Sequence, residues 1–472
     1  MKNLTRFFTA LLCLTICFPV YSQIDFKHFP IESYKLPDIQ WKGLTISGSM
    51  SGQLINENAF PTGYNNNSSA FSLRPALTYF GFTNRSDLQS SYTISTSPDV
   101  QFNHSKNENN DRIVSSHYFL PDVRYSLQRL KYHGNSFFEL GTLTNVSYFY
   151  SKTREVDDAI VEEDSESDFI ASISVPIGFG KGRIEPLADI EMALFLLKDA
   201  VSLGLDSNLI HTDDVFAFAE LMATVRNQRI FDTRRHRIAE LRQLYDFMIT
   251  KNWVLPSDPG FFTVLTDNWF YNFYSGRYSG NRWTYLLTPH LSYESRQRKL
   301  TGFEIPGRII QSLGADISVQ YEHFKPQSLY RNFHRQHTIS TGISNYLDKN
   351  NNQKTNITSI NAIITNRIGY GWFPNSRTQI YADLNVDYAY YRFINASNAN
   401  LEGDQHIVRP SLSGTGNYFV SYKTRVQVSA SLGYLYNTGG NISSIGQNII
   451  NFTFGSDRIN ALLSVSLVTN LF

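Results

Sequence analysis

Cysteine is almost absent from this chain of 472 residues: there are two, Cys13 and Cys17, both inside one apolar run near the N-terminus. Removal of that run leaves no thiol, which excludes disulfides, thiolate metal sites and cysteine nucleophiles in one step. An excess of one charge is also missing, with 42 Lys and Arg against 41 Asp and Glu. A polybasic nucleic-acid binder is therefore excluded, and no nucleic-acid partner is expected. Beyond residue 23 no uncharged stretch is long enough for a membrane-spanning helix. Gly178-Phe179-Gly180-Lys181-Gly182 is glycine-rich, yet Lys181 is not followed by Ser or Thr, and the dinucleotide spacing is absent. It reads as a tight strand-to-helix exit, and no cofactor is expected.

Aromatic residues are abundant: 28 Tyr and 34 Phe contribute to an aromatic content of 14%, against 18% charged residues. That is ample material to bury, and it excludes a disordered chain. Lys2 and Arg6 precede the apolar run Phe7 to Val20, and Val20 and Ser22 stand where a cleavage site before Gln23 needs small residues. This is the layout of a secretory signal peptide over residues 1–22. Leu12 and Ile16 precede the two cysteines, so neither forms a lipoprotein cleavage site.

The dominant pattern is period two. Leu44, Ile46, Gly48, Met50, Gly52 and Leu54 alternate with Thr45, Ser47, Ser49, Ser51 and Gln53. Phe169 to Ile177, Ile380 to Tyr390 and Val426 to Tyr436 repeat the alternation. In a strand the two sets point to opposite faces. Soluble sandwiches alternate as well, but these segments often run for about a dozen residues where soluble strands are mostly about 5–6. Tyr79, Tyr150, Trp283 with Tyr293, and Tyr370 with Trp372 lie near the ends of apolar faces, as an interfacial aromatic girdle requires. Connections alternate between short turns, such as His133-Gly134-Asn135, and long Asn-rich or acidic stretches at 56–69, 105–112, 153–167, 349–357, 395–404 and 437–457. The spacing predicts an antiparallel transmembrane barrel of about 14 strands, an even number, with both termini and the short turns on the periplasmic side.

The signal peptide, the girdled strands and the terminal Leu471-Phe472 together resemble the outer-membrane β-barrel proteins of Gram-negative bacteria. Those proteins end in an aromatic residue on an alternating last strand, which their assembly machinery reads. Here Leu463, Val465, Leu467 and Leu471 share a face, and Phe472 falls one residue out of phase. The resemblance implies residence in the cell outer membrane, with lipid as the surroundings. It is architectural and carries over no active-site residue. Residues 23–43 are too few for the N-terminal plug of TonB-dependent receptors.

One region departs from period two. Ile190, Ala193, Leu194, Leu197 and Val201 recur at helical spacing after Pro186, and Gly204 ends the run. Thr212 with Asp213 and Asp214 reads as a second helix start, and Asp232 or Thr233 opens a third. Residues 253–278 follow with Trp253, Phe261, Phe262, Trp269, Phe270, Tyr271, Phe273 and Tyr274. This stretch is expected to pack the insert against the barrel rim, or to form a docking patch for a periplasmic or envelope partner through Trp269, Phe270 and Phe273. The organisation expected is a periplasmic N-terminal segment (23–43), a first barrel part of about six strands (44–180), a helical and aromatic periplasmic insert (181–279) and a second barrel part of about eight strands (280–472).

Candidate chemistry concentrates on the inward phase. It carries Arg74, Arg124, Arg282, Arg296, Arg367, Arg409 and Arg425, and with them Asp122, Glu139, Glu294, Asp316, Glu322, Asp383 and Asp387. The signs balance, so this is no selective single-sign ring. Either the two sets line a water-filled pore, or they pair across the lumen and close it. A buried unpaired charge is costly, so both readings require hydration or pairing. The carboxylates between Glu155 and Asp168 lack the central glycine of a calcium loop and read as a solvated loop. His323 and His337 flank a turn, but two histidines without a third ligand make a weak zinc site. No metal site and no catalytic residue is expected. The leading expectation is a porin-like channel for small polar solutes. The alternative is a non-enzymatic scaffold for secretion, assembly or surface-polymer export, whose insert docks a partner.

Overall fold

The computed structural model describes residues 26–59, 64–107, 112–157, 160–227, 233–254, 259–271, 276–301, 303–350, 353–395, 403–420, 424–439 and 458–469. The expected signal peptide, Phe273, the stretch 440–457 and the terminal Phe472 lie outside them.

Strands dominate. The first half of the sheet is built from β1 (Ile39–Ala59), β2 (Tyr64–Arg85), β3 (Leu88–Thr96), β4 (Asp99–Asn107), β5 (Arg112–Leu120), β6 (Asp122–His133), β7 (Ser136–Asp157), β8 (Ile160–Ser174) and β9 (Ile177–Pro186). After the helices come β10 (Tyr278–Leu300), β11 (Phe303–Ser328), β12 (Arg331–Asn350), β13 (Gln353–Asn375), β14 (Thr378–Asn395), β15 (Gly403–Phe419), β16 (Thr424–Gly439) and β17 (Arg458–Thr469). All the described pairings are antiparallel, and from β10 onward each strand pairs with the next in the chain.

Three strands are broken at Pro98, Pro121 and Pro176. Proline has no N–H to give the ladder, so each break falls where the ladder cannot continue. The two halves stay collinear: β2 pairs with both β3 and β4, β7 with both β5 and β6, and β10 with both β8 and β9. The 17 segments therefore occupy 14 positions, with β1 and β17 at the ends of the described ladder.

The outer face is apolar. Leu44, Ile46 and Met50 on β1, Leu287 and Leu291 on β10, Leu313 and Ile317 on β11, and Ile380 and Leu384 on β14 are all exposed. So broad an apolar surface is tolerated only in lipid. Trp283 packs on Tyr321 at 4.5 Å and Tyr79 on Tyr92 at 5.7 Å, as pairs within the girdle.

Several stretches expected as long loops are strand. Residues 153–157 and 160–167 continue the β7–β8 hairpin, and 353–357 belongs to β13. Asparagine and acid suggest loop by propensity, but a strand that has left the bilayer can carry polar residues on both faces. With 26 residues, β11 far exceeds the roughly 9–11 that a bilayer needs, so the sheet stands well clear of the membrane.

The helices sit between β9 and β10: α1 (Ala188–Ser202), α2 (Thr212–Asn227), α3 (Thr233–Thr250) and α4 (Pro259–Tyr271). The first three start close to their expected positions, although Pro186 closes the strand and Leu187 precedes the first helical residue. The aromatic stretch holds a fourth helix. Its Phe261, Leu265 and Trp269 are buried at four-residue spacing, which gives the helix one inward stripe.

Candidate functional site

The lumen wall is a set of ion pairs running sideways from strand to strand. Arg282 of β10 meets Glu322 of β11 with Nη2 to Oε2 at 2.6 Å, and Gln336 of β12 donates to the same carboxylate at 3.2 Å. Arg296 of β10 meets Asp168 of β8 at 3.0 Å and Glu166 at 3.4 Å. Arg308 reaches Asp348 at 2.7 Å. Asp383 of β14 is held between Arg367 of β13 at 3.0 Å and His334 of β12 at 2.9 Å. Arg74 meets Asp99 at 2.8 Å, and Arg124 meets Asp122 of its own strand at 3.0 Å. Asp122 also accepts from the Ser97 backbone at the Pro98 break, and Glu139 accepts from Gln128 at 2.8 Å.

The expected inward residues thus lie on the face opposite the exposed apolar set, and most of them meet a partner of the other sign. Asp387 stands opposite Arg409 in the β14–β15 register. Glu294 is buried on β10, and the Arg425 Nε is buried without a hydrogen bond. The partners supplied by Asp168, Asp348, His334 and Gln336 were not foreseen. They were legible only in part, because pairing depends on register as well as on phase.

Two neighbouring features bear on the other candidates. The acidic segment is no free loop: Asp164 takes a two-pronged grip from Arg298 at 2.7 and 3.1 Å, and Glu163 pairs with Lys152 at 3.0 Å. His323 and His337 do not face each other, since His337 stands opposite Tyr321 and His323 opposite Arg335. Both rings stack on Tyr321, at 6.4 and 6.1 Å. Among the described residues no three His, Cys, Asp or Glu side chains converge as metal ligands.

The end of the barrel carrying the short turns is covered. The helices share one apolar core with the N-terminal segment (Phe26, Ile31, Tyr34, Leu36) and with barrel-end residues Leu329 and Phe373. Phe216 of α2 packs against Phe29 at 5.4 Å and Tyr34 at 6.3 Å. Phe195 of α1 packs on Tyr330 at 6.2 Å, in the β11–β12 turn. Arg183 on β9 donates to Asn84 at 2.8 Å and to the Ser86 carbonyl at 3.1 Å, lacing the strand that leads into the insert to the β2–β3 turn. Ile39 of β1, Phe82 of β2 and Tyr381 of β14 also pack on this core.

Arg277 fastens this cover. It is 0% exposed. It donates to the carbonyls of Leu329 at 2.6 Å, Arg331 at 3.1 Å and Ser328, and it lies 3.6 Å from Glu191 of α1. Burial lowers its pKa, and the Glu191 carboxylate works against that shift. Burial likewise raises the pKa of the Tyr34 phenol, with Asp189 adding to the effect.

Trp269, one of the alternative docking residues, does not present an open face. It is 1% exposed and donates to Glu240 of α3 at 2.9 Å, with Arg226 of α2 over its ring. The insert's own helices enclose it. Phe270 belongs to the same helix, and Phe273 lies outside the described residues.

An apolar belt on long alternating strands, a charged and polar interior and short turns at one end define an outer-membrane β-barrel. No protein-family model matches the sequence, and no curated relative does. Solved structures similar to the chain include the toluene transporter TodX of Pseudomonas putida, with a TM-score of 0.30 and 10% identity over 92% of this chain and 90% of that one. Another is the transport unit of the autotransporter AIDA-I from Escherichia coli, with a TM-score of 0.21 and 10% identity over 97% and 94%. A third is the β domain of the Bordetella autotransporter BrkA, with a TM-score of 0.22 and 6% identity over 92% and 100%.

Proposed function

We propose that the chain is a channel for small polar solutes across the outer membrane, stoppered at its periplasmic mouth by the helical insert. One observation carries this reading: the wall ion pairs described above lie within one strand or join strands that are adjacent or next but one, so they line the lumen without bridging it. The wall offers both signs in short alternation, which gives weak local fields and little preference between anions and cations. Arg74, Arg124, Arg282, Arg296, Arg367, Arg409 and Arg425, with Glu294, Asp316, Glu322, Asp383 and Asp387, are its pore-lining set. The insert follows from the same architecture, because a polar lumen leaks unless something covers one end. Single-channel recording of the purified chain in planar bilayers tests the proposal. Brief, infrequent openings are expected from the intact chain and larger sustained currents once the insert is loosened. No ion current from either would count against it.

A second reading is a scaffold whose insert docks a periplasmic or envelope partner. Exposed Leu203, Leu209, Ile238 and Phe262 on the helical region favour it. Photocrosslinking from positions 238 and 262 in cells tests it, and recovery of the uncrosslinked chain alone would set it aside.

A further inference from the structure

Three inward side chains of the lumen wall that belong to different strands meet in line. His290 of β10 has Nδ1 at 3.2 Å from Asp316 Oδ2 on β11 and Nε2 at 3.0 Å from Ser344 Oγ on β12. Adjacent strands alone do not bring this about, because β11 stands between His290 and Ser344. The register shows how the gap is crossed: His290 faces Gly314, and Gly314 faces Ser344. A Cβ on Gly314 would lie 2.5 Å from both His290 Nε2 and Ser344 Oγ. Only glycine leaves the imidazole room to lie over β11. Gly342 does the same for the acid, since a Cβ there would collide with Asp316 Oδ1. Asn361 donates to Asp316 at 3.3 Å and fixes the carboxylate from β13. Ser344 is 3% exposed, whereas the His290 and Asp316 side chains keep 21% and 32%, so the lumen reaches the cluster from the imidazole side.

From this geometry we infer that Ser344, His290 and Asp316 form a nucleophile–base–orienter triad that cleaves small acyl esters admitted to the lumen. With the ring proton on Nδ1 donated to Asp316, Nε2 accepts the Ser344 hydroxyl proton, which is the arrangement acyl transfer needs. The Oγ–H bond breaks as Oγ bonds to the ester carbon, and the proton moves to Nε2. The carbonyl π electrons pass to its oxygen as the tetrahedral adduct forms. Collapse expels the alkoxide, which takes the proton from Nε2. Water, deprotonated by His290, then attacks the acyl carbon, releases the carboxylic acid and restores Ser344. A bulky lipid is excluded, because the cluster faces the lumen rather than the apolar outer face. His290 lies midway along β10, between Tyr278 at the covered end and Leu300 at the far end. An ester coming from the far side reaches it without displacing the helices, so the triad does not depend on the channel reading.

The full chain, folded in detergent, is exposed to diisopropyl fluorophosphate, and the adduct is located by peptide mass spectrometry. Covalent phosphorylation of Ser344 is expected, with p-nitrophenyl acetate hydrolysis falling in proportion. Ser344→Ala should abolish the adduct, and His290→Ala should slow labelling by about 10²–10⁴-fold. Asp316→Asn, at a positioning residue, should slow labelling, because the imidazole loses the acceptor that orients it, and Asp316→Glu should restore part of the rate. If Ser344→Ala fails to fold, Ser344→Cys with iodoacetamide replaces it, and rapid alkylation below the usual thiol pKa is expected. An unlabelled Ser344 in the folded wild-type chain, or labelling indifferent to His290, would overturn the inference and leave the channel recordings untouched.

Discussion

Arg277→Met tests the cover at the point where the structure stakes most on it. The change keeps a long apolar stem over Phe373, whose ring the guanidinium now faces at 4.9 Å, and it removes the charge. Three turn carbonyls lose a charged donor, and Glu191, 2% exposed, loses the cation 3.6 Å away. Removing one partner of a buried pair costs about 3–5 kcal/mol, and a carbonyl left without a donor costs about 1–3 kcal/mol. These terms overlap, so about 4 kcal/mol is a fair total. At about 1.4 kcal/mol per tenfold, the covered state loses about a thousandfold against the uncovered one. Planar-bilayer recording should show sustained openings in place of brief ones, while the heat-modified gel shift keeps the barrel intact. Arg377→Ala is the matched control. Its 3.6 Å pair with Asp267 lies at the surface, and such pairs are worth about 0–1 kcal/mol, so its trace should match wild type. An Arg277→Met trace that cannot be told from both would refute the claim that this residue holds the helices on the mouth.

Phe373→Ala removes a fully buried barrel aromatic from the shared core and should cost about 3–5 kcal/mol, seen as faster tryptic cleavage within α3 while the strands stay protected. Leu384→Arg puts a charge into the lipid-facing belt and should cost about 2–4 kcal/mol, read as a lower urea midpoint for folding into vesicles. Leu384→Ile should leave that midpoint in place. On the inner wall, Arg367→Gln should raise the cation-to-anion permeability ratio and Asp387→Asn should lower it, both measured by reversal potential. A shift of the same sign in both would sink the assignment of these residues to the pore. Gly314→Val should displace His290 and suppress Ser344 labelling without changing the barrel's gel mobility.

The sequence made the barrel legible wherever chemistry follows phase. Leu287 and Leu291 outward, with Arg282 and Glu294 inward, follow from alternation alone, because a strand gives each parity one face. The proline breaks at 98, 121 and 176 were not legible as interruptions, because both halves of each broken strand keep the same neighbours in the sheet. Asn-rich and acidic stretches misled for a definite reason: loop propensity and a polar strand clear of the membrane share one composition. The fourth helix was hidden because its aromatic residues read as a patch until Phe261, Leu265 and Trp269 are seen to share an inward stripe. The Ser344–His290–Asp316 cluster could not be read at all. Its members are brought together by register and by two glycines, and neither leaves a mark in local spacing.

The core at the barrel mouth joins the first described residues of the chain to helices from its middle and to turns from its second half. Phe26 and Tyr34 seat in a core shared with helices from mid-chain, and that core is complete only when the segment around Leu329 and Phe373 has joined it. The mouth is accordingly finished only after the second half of the sheet has formed.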